Sequence, residues 1–201
     1  QISLKTGVLE RELPWHHQVR LRSDRGLVFA QDETGFWAGA LERDKPIWRS
    51  EVSVEPFGWA AGEFSVGDGR LVYGLNGGPV VCINATTGRE AWRTSIGDLI
   101  SQGGSQKERP GQVSGAIAIH EDVVIVTSYP RHVVGLSLQS GRRIWTYVGD
   151  NGLAQLYRGR YYVTAGWIDC QTGRLMKRRK RQWPQELEKK NAELAALEFD
   201  L

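Results

Sequence analysis

The stretch CINATTGREAWRTSIGD, residues 82–98, holds a unit that the chain uses again and again, and a repeat limits the choice of fold more than composition does. Ile83-Asn84-Ala85-Thr86-Thr87-Gly88 is matched by Leu136-Ser137-Leu138-Gln139-Ser140-Gly141 and by Ile168-Asp169-Cys170-Gln171-Thr172-Gly173. Ile2-Ser3-Leu4-Lys5-Thr6-Gly7 follows the same pattern, and Gly39-Ala40-Leu41-Glu42-Arg43-Asp44 is a weaker copy with Arg-Asp in place of Thr-Gly. Trp48, Trp92 and Trp145 stand four places after the turn; Arg11 and Lys177 fill that slot in the first and last copies. The copies recur at irregular spacings of roughly 30 to 55 residues, the mark of a repeat architecture with variable loops.

Alternation of apolar and polar residues over four positions predicts a strand with one buried face. Thr-Gly or Ser-Gly then predicts a tight hairpin, because glycine accepts a positive φ at little steric cost. The returning strand carries its Trp to the sheet face, where a large ring fills the gap between two sheets. On this reading Gly7, Gly88, Gly141 and Gly173, with Trp48, Trp92 and Trp145, build the fold rather than a ligand site. Arg11 and Lys177, where the ring pattern fails, are expected to tolerate alanine far better than the tryptophans.

Between turns the chain supplies short runs rich in Val, Ile, Tyr, Phe and Trp, bounded by Gly, Asp or Asn. They are GLVFAQD and GFWAGAL, then GRLVYGL and PVVCINA, then GAIAIHEDVVIVTSY and HVVGLSL, then LAQLYRGRYYVTAG and WIDCQTG. With the strand after each turn this makes about four strands per interval, the content of one propeller blade. The expected fold is an all-β propeller of about four four-stranded blades over residues 1–177, followed by a basic linker and a C-terminal α-helix over 178–201.

INATTGREAW, residues 83–92, and LSLQSGRRIW, residues 136–145, resemble the repeat of the pyrroloquinoline-quinone-type (PQQ-like) β-propellers. The resemblance extends over residues 1–177 and is strongest in the second and third intervals. It implies the repeat class but not the function, since the family holds quinoprotein dehydrogenases as well as non-catalytic scaffolds such as the outer-membrane assembly lipoprotein. Because its members close with more blades than this chain supplies, a small closed ring, half of a dimeric ring and a fragment all remain open. An extracytoplasmic setting is implied in the same way.

Outside the repeats, residues 97–115 (GDLISQGGSQKERPGQVSG) read as a long surface loop, either a tolerated insertion or a binding loop at one rim. Lys177, Arg178, Arg179, Lys180 and Arg181 form a basic run ahead of Trp183. PQELEKKNAELAALEFDL then reads as a helix, with Pro184 in its first turn and Leu187, Leu194 and Leu197 along a partial apolar stripe. That helix packs on its own propeller, on a second copy or on a partner. The basic run offers salt-dependent attraction to nucleic acid or an anionic membrane, although the acidic helix beside it offsets part of the charge. Net charge is only +3, and most of the surface charge is mixed in sign.

No stretch approaches the roughly 18 apolar residues of a membrane-spanning helix. The opening QISLKTGVLE reads as strand and turn rather than as a signal peptide, and the missing initiator Met leaves both a processed form and a piece of a longer protein open. Cys82 and Cys170 lie at different slots of the repeat and are expected to be separate buried thiols. His16 and His17 are adjacent, and His120 and His132 stand alone, without zinc-site spacing. Asp122, Asp150 and Asp169 fall at turns, where Asp has a local hydrogen-bonding role. The family's quinone enzymes use calcium and commonly adjacent cysteines; this chain has no adjacent cysteines, and no catalytic residue carries over.

The function expected from these features is a non-enzymatic scaffold without a cofactor. Its partner is another protein, met through the loop 97–115 or the terminal helix, or a second copy of the chain. The rivals are a quinone- or calcium-binding protein and an electrostatic binder of nucleic acid or membrane surfaces.

Overall fold

The computed structural model describes residues 20–32, 35–40, 45–51, 64–75, 79–97, 113–128, 131–149 and 154–177. They form sixteen strands, grouped as four antiparallel sheets of four. Sheet 1 contains β1 (Arg20–Asp24), β2 (Leu27–Asp32), β3 (Gly35–Ala40) and β4 (Trp48–Glu51). Sheet 2 contains β5 (Phe64–Gly67), β6 (Arg70–Gly74), β7 (Pro79–Asn84) and β8 (Glu90–Ser95). Sheet 3 contains β9 (Val113–His120), β10 (Val123–Ser128), β11 (His132–Ser137) and β12 (Arg143–Val148). Sheet 4 contains β13 (Gln155–Tyr157), β14 (Arg160–Val163), β15 (Gly166–Asp169) and β16 (Leu175–Lys177). Each sheet is a simple meander with its strands in chain order, which is the blade of a β-propeller.

The middle strands depart from the expectation of a single buried face. Leu71, Val72 and Tyr73 are buried in succession, and β10 is buried throughout. The period of two survives, but both of its faces are apolar. Leu71, Tyr73, Val81 and Ile83 pack on Phe29 and Phe36 of sheet 1, while Val72, Val80 and Cys82 pack on Val124, Val126 and Leu136 of sheet 3. Val123, Ile125 and Val133 face the other way, onto Tyr161, Val163 and Ile168 of sheet 4. A sheet covered on both sides loses its polar alternation, so these strands read as continuous apolar runs. Ile83-Asn84-Ala85-Thr86 is therefore not a half-buried strand: β7 ends at Asn84, and Ala85 opens the turn.

Three apolar joints thus connect the sheets in chain order. The joint between sheets 1 and 2 is aromatic, with Phe36 meeting Phe64 edge-on at 5.3 Å and Tyr73 at 4.4 Å between ring centres. The joint between sheets 2 and 3 is mainly aliphatic. Ser65 Oγ also donates to the Ile117 carbonyl, tying β5 to β9. No such cluster among the described residues spans sheets 4 and 1.

Several boundaries need correction. Residues 113–115, read as the end of the long loop, belong to β9; residues 98–112 lie outside the described residues. Cys170 is not on a strand but is the first residue of the turn after β15. Lys177 does not occupy the place of the tryptophans. β8 and β12 each carry a register shift that sets Trp92 across from Cys82 and Trp145 across from Gly135. β16 lacks that shift, so Met176 stands across from Trp167, and Lys177 falls opposite Gly166. In sheet 4 the large ring is thus on the third strand instead of the fourth. Gly7, the turn 41–44, the run Arg178–Arg181, and Leu187, Leu194 and Leu197 with their expected helix lie outside the described residues.

Candidate functional site

The repeated residues meet across blades, not within them. Trp48 Nε1 donates to the Ala85 carbonyl at 2.8 Å, Trp92 Nε1 to the Leu138 carbonyl at 2.8 Å, and Trp145 Nε1 to the Cys170 carbonyl at 2.9 Å. Each acceptor lies three residues before the glycine of the next copy. The ring then covers that glycine. A Cβ added at Gly88 would lie 2.7 Å from Trp48 Cδ2, at Gly141 2.6 Å from Trp92 Cε3, and at Gly173 2.6 Å from Trp145 Cδ2. These glycines have φ of 70°, 68° and 69°, so the turn and the close approach both require the residue. Thr94 Oγ1 adds a bond to the Gly141 carbonyl at 2.8 Å. The glycine was legible in the sequence as a turn former; its second role, as the seat of the preceding blade's ring, was not.

The polar residue ahead of each turn holds the turn shut. Asn84 Oδ1 accepts from the amides of Thr86 and Thr87, each at 3.0 Å. Ser137 Oγ accepts from the Ser140 amide at 3.4 Å. Asp169 Oδ1 accepts from the Thr172 amide at 2.9 Å and the Thr172 hydroxyl at 2.7 Å. Those two bonds hold the Asp169 carboxyl below its usual pKa. A carboxyl with a depressed folded pKa stabilises the fold above its unfolded pKa and loses that contribution as pH falls through the folded value. Asp169→Asn keeps an acceptor where Asn84 stands in its own copy. The variant is therefore expected to lose the acid-sensitive part of stability: its melting temperature should approach that of the wild type as pH falls from 5 toward 3. A constant gap over that range would contradict the assignment.

These hairpins share one end of the sheets with the β1–β2, β5–β6, β9–β10 and β13–β14 turns. The Ala85 amide donates to the Gly69 carbonyl at 2.9 Å, and the Leu138 amide to the Asp122 carbonyl at 2.7 Å. Polar contacts cross from blade to blade on this rim: Arg25 to Asp68 at 2.7 Å, Arg70 to Gln139 at 3.2 Å, and Gln171 to Glu121 at 2.8 Å. Arg89, Arg142 and Arg174, each following a turn glycine, are exposed. Such exposed pairs contribute at most about 1 kcal/mol each and leave the rim a polar contact surface.

Cys82 and Cys170 are free, buried thiols, as expected. Burial pushes the Cys82 thiol up to about 12 and the Cys170 thiol up to about 11, so both stay protonated near neutral pH. A thiol reagent at pH 8 is expected to label neither in the folded chain and both in denaturant. Rapid labelling of the native protein would contradict their placement. Among the described residues no three of His, Cys, Asp and Glu come together as metal ligands. Of the charged residues proposed from sequence, only Lys177 is described, and only as the end of β16.

The model of the family described as outer membrane protein assembly factor BamB matches residues 34–163. A BamB of Pseudomonas aeruginosa is 30% identical over 90 residues, covering 42% of this chain and 23% of that protein. The crystal structure of BamB from Moraxella catarrhalis aligns with a TM-score of 0.58 at 14% identity, over 90% of this chain and 58% of that one. A quinohemoprotein alcohol dehydrogenase from Comamonas testosteroni aligns with a TM-score of 0.50 at 15% identity, over 66% of this chain and 21% of its own. The chain therefore spans less than two thirds of the length of each of these proteins. The two structural likenesses are likenesses of fold.

Proposed function

The chain belongs to the outer membrane protein assembly factor BamB family of PQQ-like propellers, and on that premise we propose that it is a non-enzymatic scaffold that binds another protein outside the cytoplasm. The observation that carries the reading is the use made of the repeated residues. Trp48, Trp92, Trp145 and their glycines are consumed in joining blades, and Asn84, Ser137 and Asp169 in closing turns. What is left to differ between blades is the rim, the insertion within 97–115 and the segment after Lys177, the kind of places where a rigid scaffold carries its contacts.

The test is site-specific photo-crosslinking from residues 98–112 and from the C-terminal segment in cells, beside a chain with 98–112 deleted. The scaffold reading expects discrete protein adducts from at least one of the two segments, and a partner held by the loop to be lost from co-purification with the deleted chain. Adducts to no protein from either segment would overturn it. A homodimer is the second reading, favoured by the lack, among the described residues, of an apolar joint between sheets 4 and 1. Native mass spectrometry decides it: a dimer supports a ring shared by two chains, and a monomer removes it.

A further inference from the structure

The arginines near the hairpin rim are not all used alike. Arg25 pairs with Asp68 at 2.7 Å, Arg70 with Gln139 at 3.2 Å, and Arg93, farther along β8, with Glu90 at 2.7 Å. Arg89, Arg142 and Arg174, which follow Gly88, Gly141 and Gly173, are exposed, and among the described residues their guanidiniums have no partner. Their main chains, by contrast, are fixed in the same way three times. The amide of each donates to the hydroxyl two residues back, of Thr87, Ser140 and Thr172, at 3.4 Å. The carbonyl of each accepts from the amide of Asn84, Ser137 or Asp169 at 2.8, 2.8 and 3.0 Å. The acids of this rim are largely engaged: Asp24 and Asp68 at Arg25, Glu90 at Arg93, Asp169 in its own turn, and Glu121 accepting from Gln171. The rim is thus left with free cations on rigid hairpins.

Arg89 stands three residues before Trp92, whose ring covers Gly141 next to Arg142; Arg142 stands three before Trp145, whose ring covers Gly173 next to Arg174. The seating that repeats the ring from blade to blade therefore repeats the arginine, in an arc with steps on the order of 10 Å. We propose that this arc of Arg89, Arg142 and Arg174 is a docking surface for an acidic segment of another protein, with carboxylates about three to four extended residues apart. A planar guanidinium takes a carboxylate through two parallel hydrogen bonds, and a backbone already held in place lowers the entropy lost on binding. Thr86, Thr87, Gln139, Ser140, Gln171 and Thr172, all exposed, flank the arc with hydroxyls and amides for the segment's main chain. These hairpin tips carry no apolar anchor of the kind that holds a protein on a membrane surface. Exposed Glu121 and Asp122, bonded to the turns at Gln171 and Leu138, repel a uniformly charged polymer. The inference rests on the scaffold reading and gives it a surface and a partner chemistry.

The probe is a labelled peptide of about a dozen residues, with a glutamate at about every fourth position in a serine-glycine background, titrated against the full chain by fluorescence anisotropy. Saturable, salt-sensitive binding is expected. The triple substitution Arg89→Gln, Arg142→Gln, Arg174→Gln should weaken it roughly tenfold, and Arg142→Gln alone about twofold to fivefold. Arg131→Gln removes the same charge from an exposed arginine at the opposite end of sheet 3, ahead of β11, and should change nothing. The triple variant is expected to keep its melting temperature, since the three side chains hold nothing in the fold, so lost binding is not lost folding. No binding, equal binding by a peptide with its glutamates bunched together, or equal losses from Arg131→Gln and Arg142→Gln overturns the arc as a site. Tighter binding of anionic lipid vesicles or single-stranded DNA through the same arginines also overturns it, in favour of a polyanion surface. Self-association abolished by the triple variant overturns it in favour of a second copy. If the peptide fails while crosslinking in cells still yields protein adducts, the scaffold reading stands and only the arc falls.

Discussion

Trp92→Ala is expected to destabilise the chain by about 3–5 kcal/mol, the cost of emptying a buried aromatic site. The ring is 9% exposed and lies in the joint between sheets 2 and 3 with Val72, Val124 and Leu136. Its loss removes this apolar area and leaves a cavity. It also strips the Leu138 carbonyl of its indole donor at 2.8 Å, which adds the cost of an unpaired buried acceptor. Trp92→Phe separates the two contributions: it keeps most of the area and loses the bond, so about 1–2 kcal/mol is expected. Urea unfolding measures both. A loss below about 1 kcal/mol for alanine would mean that the ring does not join the blades.

Gly141→Ala is expected to cost about 2–5 kcal/mol from two sources that can be measured apart. Alanine at φ +68° carries a backbone penalty of about 1–2 kcal/mol. Its Cβ would also press on Thr94 Oγ1 and on the Trp92 ring, each at 2.6 Å, and overpacking of that kind costs about 1–3 kcal/mol more. Gly26 is the control: it has φ +78° with nothing within 4 Å of an added Cβ, so Gly26→Ala should show the backbone cost alone. Equal losses at the two positions would mean that neither the Trp92 ring nor Thr94 crowds Gly141.

The recurring Gly and Trp were legible because they do the same work at every joint, and so they recur in sequence. Blade number and strand content followed from the same periodicity. The pairing of a Trp with the next copy's Gly was not legible, since spacing along the chain says nothing of which hairpin a ring will cover. Nor was the double-faced burial of β6 and β10, which a window on Ile83-Asn84-Ala85-Thr86 misses because that window straddles a strand end. Lys177 misled for a different reason. Counting four places from Gly173 assumes the register shift present in β8 and β12, and β16 lacks it. Trp167 takes up the large-residue position from the third strand, where Cys82 and Gly135 are small.

The central claim is that each Trp is seated on the glycine of the following blade, and double-mutant cycles test it most directly. Trp92→Ala is combined in turn with Gly141→Ala, in the next copy, and with Gly88→Ala, in its own. Without the Trp92 ring, alanine at 141 should keep its backbone penalty and its contact with Thr94 Oγ1 but lose the clash with the ring, giving a coupling of about 1–3 kcal/mol. Alanine at 88 meets Trp48 instead, so its effect should add to that of Trp92→Ala within about 0.5 kcal/mol. Coupling to Gly88 and additivity with Gly141 would contradict the account, for the motif would then close within each blade and something else would hold the blades together.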